Sequence, residues 1–406
     1  MTARAAPRGV VVVGASAAGL TAAETLRREG FSGTITLVGG EVHLPYDRPP
    51  LSKQVLSGSW PPERTGLRQP GDIGALRLDL RLGTTATALD ATARTVTLAD
   101  GAVIVYDGLI IATGVRPRRL PMANSATGVH VLRTLDDALA LRDRLGAGRR
   151  LVVVGAGFLG AEAAAVARSL GASVTLIEPA PVPLEHAVGA QVGAVLAEIH
   201  REHGVNLRTG TAVTGIITDA GRAVGVRQAD GTEAAADDVL IAIGSQANTE
   251  WLEGSGLKLA DGVVCDQYSA AAPGVYAAGD VARWHNPLFG TMMRIEHRTN
   301  AAEQGFAAAR NLLRPEQARP FAPVPYFWSD QYDVKIQAYG YLPDHDESAV
   351  VDGDLEARRF LVAYRRGDFL TAVIAMSMHP KVIHPWRVMI ANRVRWSSAV
   401  SAPLSA

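Results

Sequence analysis

Two glycine-rich turns are the stretches of this sequence whose spacing most directly indicates chemistry. One reads GASAAG over residues 14–19, and the other reads GAGFLG over residues 155–160. In such a turn the first glycine permits a tight bend, the middle position lets a pyrophosphate approach backbone N–H groups, and the last glycine lets helix and strand pack closely. Ser16 replaces the middle glycine of the first turn, so that match is the weaker one. The turns predict two dinucleotide sites, with contacts at Gly14, Ser16, Ala17, Ala18, Gly19, Gly155, Gly157, Phe158, Leu159 and Gly160.

Acidic residues that follow the next strand of each unit predict contacts to ribose. Glu178 stands about 20 residues after the second turn, where a carboxylate accepts hydrogen bonds from ribose hydroxyls and repels a 2′-phosphate. Residues 179–186 contain no arginine, so NADH is favoured over NADPH. In the first unit Glu41 is the nearby acid, slightly late in position, and a solvated turn residue is the alternative. Two such sites suggest FAD and NADH as cofactors, with hydride passing from nicotinamide to flavin.

The elements around the turns predict the fold class. Residues 9–13 are a β-branched apolar run typical of a buried parallel strand, and a helix and the strand-like TITLVGG follow them. The same order returns at 150–180, and GLIIATG at 108–114 and VLIAIGS at 239–245 predict further strands. From Tyr326 onward the pattern indicates antiparallel strands. The expected class is therefore α/β, with two Rossmann-type dinucleotide-binding units and a C-terminal α+β domain.

The composition argues against several classes of function. Lys plus Arg and Asp plus Glu both number 40, and this balance argues against nucleic acid as a partner. No apolar run reaches the roughly 18 residues of a membrane helix, so no membrane partner is expected. Cys265 is the single cysteine, which excludes an intrachain dithiol centre and fits a cytoplasmic location. We expect His186, His200 and His203 at the surface, and we expect no metal site because WHNPLFG lacks metal-ligand spacing.

The order of several motifs resembles a known family. The motifs GASAAG, PYDRPPLSK, IIATG, GAGFLGAEAA, GVYAAGDVA, RIEHRTNAAEQG and PYFWSDQYDVKIQAYG are similar to those of the FAD-dependent, NADH-consuming ferredoxin reductases of oxygenase systems. The resemblance implies a glutathione-reductase-like fold. It divides the chain into an FAD domain (1–116 and 244–325), an NAD domain (117–243) and a C-terminal interface domain (326–406). It also implies that electrons pass from NADH through FAD to a ferredoxin-type iron–sulfur protein that serves an oxygenase or P450.

The resemblance assigns the central roles to Lys53 and Glu162. Lys53 closes the proline-rich stretch LPYDRPPLSK, whose prolines remove conformational freedom, and it is expected near flavin N5. There its ammonium would stabilise negative charge on the reduced flavin, and Glu162 would hold it in position. The alternative for Glu162 is an ordinary helix carboxylate. The apolar residues around it in GAEAAA argue against that alternative, because an unpaired charge there would be costly.

Other positions follow from the same resemblance. Gly40 stands where many relatives have an acid, Arg48 and its prolines have a surface turn as the alternative role, and Trp328 has a core position as its alternative. Arg294, Arg298 and Arg310 are candidates for docking an acidic ferredoxin, with ordinary solvated charge as the alternative. The further cofactor contacts implied are Gly40, Glu41, Arg48, Ala86, Ala112, Gly114, Arg133, Gly244, Gly279, Asp280, Glu296, His297 and Trp328.

Two other functions stay open at this point. One is an FAD- and NADH-dependent reductase or oxidase that acts directly on a small molecule, a quinone or oxygen. The other is a flavoprotein that is not an enzyme and changes its oligomeric state when NADH binds. The C-terminal sequence MHPKVIHPWRVMIANRVRW departs from the family's usual helix pattern, which leaves the acceptor open. We expect a monomer or a weak homodimer.

Overall fold

The computed structural model describes residues 7–121 and 126–401. It divides the chain into two compact units. Unit 1 contains the residues up to Asp47, Thr65–Arg116 and Gln246–Pro325, and unit 2 contains Arg48–Arg64, Pro117–Ser245 and the chain from Tyr326 onward. The segment Arg48–Arg64, which carries Lys53, therefore belongs to unit 2, together with the second glycine-rich turn.

The elements are numbered in chain order. The helices are α1 (Ala17–Arg28), α2 (Pro70–Ala75), α3 (Leu135–Arg142), α4 (Phe158–Ser169), α5 (Glu185–Glu202), α6 (Arg298–Leu313), α7 (Pro380–Ala391) and α8 (Trp396–Ser401). The strands up to the second turn are β1 (Gly9–Val13), β2 (Thr34–Gly39), β3 (Asp79–Leu82), β4 (Ala86–Asp90), β5 (Thr95–Leu98), β6 (Val103–Val105), β7 (Gly108–Ile111), β8 (Val115–Pro117), β9 (Val129–His130) and β10 (Arg150–Val154).

The remaining strands follow the second turn. They are β11 (Ser173–Glu178), β12 (Asn206–Thr209), β13 (Val213–Asp219), β14 (Arg222–Gln228), β15 (Glu233–Ala235), β16 (Asp238–Ile241), β17 (Ser245–Ala247), β18 (Val263–Cys265), β19 (Ala270–Ala272), β20 (Val275–Ala277), β21 (Ala282–Asn286), β22 (Thr291–Met293), β23 (Tyr326–Gln331), β24 (Val334–Gly340), β25 (Glu347–Asp354), β26 (Arg359–Arg366) and β27 (Phe369–Met376).

Unit 1 is built on a mostly parallel sheet. Its strand order is β19-β20-β7-β1-β2-β3, so β1 lies between β7 and β2 and is parallel to both. Val10 to Val13 are all buried, as a central strand covered on both faces requires. Strand order reverses around β1, and a crevice forms outside the carboxyl end of such a strand. The first glycine-rich turn begins at that end.

Unit 2 contains a second parallel sheet of the same design. Its order is β12-β11-β10-β16-β9, with β10 between β11 and β16. The second glycine-rich turn follows β10 directly and opens α4. The chain therefore repeats one arrangement, a central buried strand that ends in a glycine-rich turn, and each copy has its own sheet.

An antiparallel sheet completes unit 2. Its order is β23-β24-β27-β26-β25, as the sequence from Tyr326 onward predicts. One face packs against α5, where Val188, Val192, Leu196 and Ile199 share a core with residues of the sheet such as Ile374. This packing brings α5 and β23 together, which matters for the site described below.

One buried carboxylate lies where an interior strand of the second parallel sheet begins. Asp238 opens β16 with a side chain only 3% exposed, and it accepts hydrogen bonds from Arg149 Nη2 at 2.7 Å, His130 Nε2 at 3.0 Å and Arg144 Nε at 3.2 Å. Burial by itself would raise its pKa, but these hydrogen bonds outweigh burial and lower the pKa to about 2. The ionised form is therefore the one that the fold stabilises.

We expect Asp238→Asn to lower the free energy of unfolding by about 3 kcal/mol at pH 7, because it leaves the surrounding cations without their carboxylate. The folded pKa of Asp238 lies below its unfolded value near 4, so its stabilisation is present above pH 4 and lost as the pH falls through about 2. Urea unfolding at pH 7, 4 and 2.5 should show the difference between the two proteins shrinking over that range.

Asp237→Asn is the matched control, because Asp237 is more exposed and pairs mainly with Arg150. It should cost about 1 kcal/mol or less, as expected for a surface ion pair. A difference between the wild type and Asp238→Asn that stays constant from pH 7 to pH 2.5 would exclude an ionic origin.

Candidate active site

The first glycine-rich turn has a backbone that only glycine allows at its two ends. Gly14 has φ +121°, and a Cβ there would lie 2.0 Å from the carbonyl oxygen of Ala112. A Cβ on Gly19 would lie 1.8 Å from the carbonyl oxygen of Gly14. These contacts bring the start of α1 against the ends of β1 and β7, as the motif predicts.

The start of α1 has the properties of an anion site. Ser16 is the N-cap in an extended conformation, and its side chain makes no capping hydrogen bond. The first N–H groups of a helix have no partner within the helix, and the helix dipole favours negative charge there. Ser16, Ala17 and Ala18 therefore present backbone donors of the kind that a pyrophosphate needs.

Further predicted contacts of unit 1 lie around this turn. Gly279 has φ +75°, and a Cβ on it would lie 3.0 Å from Cβ of Ala18. Asp280 follows it in a short 3-10 turn, where its carbonyl oxygen accepts from Arg294 Nη1 at 3.2 Å. Gly114, which follows β7, also has a positive φ of 65°. The structure thus brings Gly14, Ala18, Ala112 and Gly279 to one edge of the sheet.

The acidic residue after β2 is held by a neighbour. Tyr46 donates a hydrogen bond to the carboxylate of Glu41, so Glu41 is more than a solvated turn residue. A Cβ on Gly40 would lie 2.9 Å from Cγ2 of Thr85, which precedes Ala86 at the start of β4. These contacts fix the chain that follows β2.

Glu296 and His297 lie at the start of α6. Glu296 is exposed and pairs with Arg294 Nη1 at 2.6 Å. His297 is the N-cap of α6, and burial lowers its pKa to about 4, so its imidazole is neutral near pH 7. A neutral imidazole can both donate and accept a hydrogen bond.

The second glycine-rich turn repeats the geometry of the first. Gly155 has φ +99°, and a Cβ on it would lie 2.4 Å from the carbonyl oxygen of Ala242. A Cβ on Gly160 would lie 2.0 Å from the carbonyl oxygen of Gly155. At Gly157, by contrast, a Cβ would meet no atom within 4 Å. The middle position therefore faces open space, and a phosphate can approach the backbone from that side.

Glu178 is fixed at the second turn by two backbone hydrogen bonds. Its Oε2 accepts from the N–H of Ala156 at 2.6 Å, and its Oε1 accepts from the N–H of Ala180 at 3.0 Å. Its negative charge therefore lies at the mouth of the turn, where a ribose would bind. Gly244, which follows β16, has φ +91°. Phe158 begins α4, next to Leu159, and its ring packs against Phe327 at 4.7 Å between centroids.

Lys53 and Glu162 form a buried ion pair. Pro49 and Pro50 begin a 3-10 turn, Pro49–Ser52, which ends at Lys53. Lys53 Nζ lies 2.6 Å from Glu162 Oε2, and the two side chains are 11% and 5% exposed. Two serines also donate to the carboxylate: Ser52 to Oε2 at 2.5 Å and Ser329 to Oε1 at 2.6 Å. The carboxylate is thus satisfied on both oxygens, and the ammonium is held in a fixed place.

The other predicted residues of unit 2 have defined partners. Arg48 Nη1 donates to the carbonyl oxygen of Arg133 at 2.6 Å, and the N–H of Arg133 donates to Asp137 at 3.0 Å. Trp328 is half-buried on β23 and stacks on Tyr326, with centroids 5.9 Å apart. Trp328 is therefore not fully enclosed in a core.

Sequence reasoning missed three members of this site. Ser52 and Ser329 could not be predicted, because no sequence pattern marks a serine in a proline turn or a strand as a site residue. The expectation that His200 lies at the surface is wrong. His200, on α5, is fully buried against β23, and its ring forms hydrogen bonds with Gln331 and Tyr332. Only the packing of α5 on the antiparallel sheet decides this. His186 and His203 are exposed, as expected.

The arginines considered for docking have carboxylate neighbours. Arg294 pairs with Asp261 and Glu296, and Arg298 pairs with Asp47. Arg310 lies half-buried on α6. These ion pairs reduce the positive potential that Arg294 and Arg298 could present to an acidic protein.

The described residues show neither a metal-binding cluster nor a membrane-spanning helix. Across residues 7–121 and 126–401, no three His, Cys, Asp or Glu side chains are grouped so that they could hold a metal ion. In the same part of the chain, no helix has the length and apolar character needed to cross a bilayer.

Comparison with protein families identifies the class. Residues 8–305 match the pyridine nucleotide-disulphide oxidoreductase family, and residues 326–404 match the reductase C-terminal family. The chain belongs to the pyridine nucleotide-disulphide oxidoreductase family. Its single cysteine, Cys265, is buried, and burial raises the pKa of its thiol to about 12. The redox chemistry of this member therefore does not use a pair of its own thiols.

Individual relatives narrow the class to ferredoxin reductases. The chain is 39% identical to putidaredoxin reductase of Pseudomonas putida, over 90% of this chain and 87% of that one. It is 41% identical to the ferredoxin–NAD(+) reductase component of a p-cumate 2,3-dioxygenase system of the same organism, over 82% and 81%. The reductase in a covalent putidaredoxin reductase–putidaredoxin complex matches with a TM-score of 0.91 at 37% identity, over 95% and 93%. The predicted family and fold class are confirmed.

The two turn positions of the second site allow a matched pair of variants. Gly157→Ala should leave thermal stability unchanged and weaken NADH binding about tenfold or more, because its methyl group would project where a phosphate approaches the backbone. Gly155→Ala should lower stability by about 1 kcal/mol or more, because of its positive φ and its contact with Ala242. Thermal melts and NADH titrations measure both effects. Unchanged NADH affinity in Gly157→Ala would contradict this assignment.

Proposed function

We propose that this protein is an NADH-dependent ferredoxin reductase. It passes electrons from NADH through FAD to a ferredoxin-type iron–sulfur protein that serves an oxygenase or P450. The observation that carries the proposal is the buried pair of Lys53 and Glu162, in a chain whose two glycine-rich turns both have dinucleotide-binding geometry. Bound FAD would supply the redox chemistry, because it can accept a hydride and release electrons one at a time.

The proposed domain assignment is the one that the resemblance to ferredoxin reductases implies. Residues 1–116 and 244–325 form the FAD-binding domain, residues 117–243 bind NADH, and residues 326–406 form the interface domain. The first turn and its neighbours Glu41, Ala112, Gly279 and Asp280 would hold FAD. The second turn and Glu178 would hold NADH.

Lys53 and Glu162 supply the electrostatics of the reaction. Lys53 would place its ammonium near flavin N5, and a preorganised cation there would stabilise negative charge on the reduced flavin ring without rearrangement. Glu162 keeps the ammonium in place and is itself held by Ser52 and Ser329. Trp328 would cover the flavin ring with its exposed face.

Partner and location complete the proposal. The acceptor is an acidic iron–sulfur protein, and nucleic acid and membranes are not partners. The protein acts in the cytoplasm as a monomer or a weak homodimer. The chain matches the two ferredoxin reductases named above over 87% and 81% of their lengths, which supports a ferredoxin as the acceptor over direct reduction of a small molecule.

The proposal is tested by mixing the FAD-loaded protein rapidly with NADH and then with a purified ferredoxin from an oxygenase system. We expect NADH to bleach the flavin absorbance in near-stoichiometric amounts and the ferredoxin to be reduced afterwards. Raising salt from about 0.01 M to about 0.15 M should slow ferredoxin reduction and leave reduction of a small uncharged acceptor unchanged, because only the docking of the acidic ferredoxin is electrostatic. Rapid NADH oxidation by oxygen with no ferredoxin reduced would identify an oxidase instead.

Glu178 is expected to set the preference for NADH. Glu178→Gln removes the negative charge that would repel a 2′-phosphate, so the ratio of kcat/KM for NADH to that for NADPH should fall about tenfold. Steady-state rates with both nucleotides and ferricyanide measure the ratio. Glu198→Gln is the control, since Glu198 is exposed on α5 and should leave the ratio unchanged. Equal rates with both nucleotides in the wild type would refute the role of Glu178.

A further inference from the structure

A line of polar side chains runs through unit 2 from Lys53 to the turn between β23 and β24. Its members are joined by hydrogen bonds and come from the proline turn, α4, β23 and α5. We call it the Glu162 chain, and it consists of Lys53, Ser52, Glu162, Ser329, Gln331, His200 and Tyr332.

Beyond Glu162, each link of the chain is a single hydrogen bond. Gln331 Nε2 lies 3.2 Å from Ser329 Oγ, and Gln331 Oε1 lies 3.1 Å from His200 Nε2. His200 Nδ1 lies 3.0 Å from the hydroxyl of Tyr332. Ser329, Gln331 and His200 are fully buried. A buried polar group without its hydrogen bond is costly, so one arrangement of donors and acceptors is strongly favoured along the Glu162 chain.

The carboxylate of Glu162 gives the line one direction. An ionised carboxylate only accepts hydrogen bonds, so Ser329 must donate to it and must accept from Gln331 Nε2. The amide oxygen of Gln331 then faces His200, which must carry its proton on Nε2. Nδ1 of His200 is therefore an acceptor, and Tyr332 donates to it. Every donor along the line points toward Glu162.

Tyr332, at the far end of the Glu162 chain, has a backbone conformation that costs energy and is held there by side-chain contacts. Tyr332 has φ +52°, a region that bulky side chains rarely adopt. It keeps this place with its ring stacked on His203, 3.7 Å between centroids, and its hydroxyl on His200. Burial lowers the pKa of His200 to about 4, so the ring stays neutral and keeps one tautomer near pH 7.

We propose that His200 is a positioning residue for the ammonium of Lys53, acting through the intervening members of the Glu162 chain. By orienting Gln331 and Ser329, it keeps the Glu162 carboxylate in the rotamer that receives Lys53. Gln331 interrupts any path of acid–base groups, so the line orients the ion pair and does not carry protons. The link to catalysis rests on the proposed function, whereas the orientation of the line does not.

The orientation is tested by NMR on protein labelled with 15N at histidine, with His200→Gln used for assignment. We expect His200 in the Nε2–H tautomer, with no titration between pH 5.5 and 8.5. In Glu162→Gln the tautomer should become mixed or change, because the acceptor-only anchor is lost. An Nδ1–H tautomer in the wild type, or titration near pH 6.5, would overturn the proposal whether or not the protein is a reductase.

The proposed effect of His200 on the Lys53 ammonium is tested with Gln331→Met and Tyr332→Phe in the FAD-loaded protein. At saturating NADH, flavin reduction should slow about three- to tenfold in Gln331→Met, the rate equivalent of one buried hydrogen bond, and less in Tyr332→Phe. The NADH Kd should stay unchanged, and the flavin midpoint potential should shift. If Gln331→Met does not fold, Tyr332→Phe and the NMR result decide whether His200 positions Lys53.

Tyr364→Phe is the matched control. Like Tyr332→Phe, it removes one phenol hydroxyl that bonds to α5, but the partner of Tyr364 is the carbonyl oxygen of Val188, outside the Glu162 chain. Its reduction rate and potential should equal those of the wild type. Equal slowing in Tyr364→Phe and Tyr332→Phe, or unchanged rates in Gln331→Met, would overturn the positioning role. A wild-type protein that does not oxidise NADH would refute the proposed function and leave the NMR result standing.

Discussion

A carboxylate taken out of water is the constraint on which the site of unit 2 depends. Glu162 is only 4% exposed, and a buried charge is tolerated only with a partner and with its remaining lone pairs satisfied. Lys53, Ser52 and Ser329 meet that demand from two segments far apart in the chain. The proline turn, α4 and β23 must therefore meet at one point, and Lys53 is held rigidly where they meet.

Close backbone packing is the second constraint, and it appears twice. In each glycine-rich turn the outer glycines let a carbonyl oxygen approach to distances that no Cβ would allow. The resulting contact brings the helix start to the end of a buried central strand, so that unpaired N–H groups and the helix dipole face outward together. The same solution occurs in two separate sheets, as the two proposed dinucleotide sites require.

Charge is otherwise balanced locally rather than accumulated. Asp238 receives several cations at one buried oxygen pair, and Arg294 and Arg298 have carboxylate neighbours. This local pairing of charges is in keeping with the formal net charge of zero. Electrostatic docking of an acidic electron acceptor would then depend on where individual cations lie on the docking face and not on the net charge of the protein.

The sequence alone determined what is local. A buried strand, a tight turn and a helix start depend on neighbouring residues, so β1, β10 and both glycine-rich turns could be predicted, and motif order led to the family and to Lys53 and Glu162. Tertiary structure decided what depends on distant segments: the burial of His200, the serines on Glu162 and the carboxylates beside the arginines. The reason is physical, since a hydrogen bond is defined by three-dimensional distance. Nothing in the spacing of α5 indicates that one of its histidines meets β23.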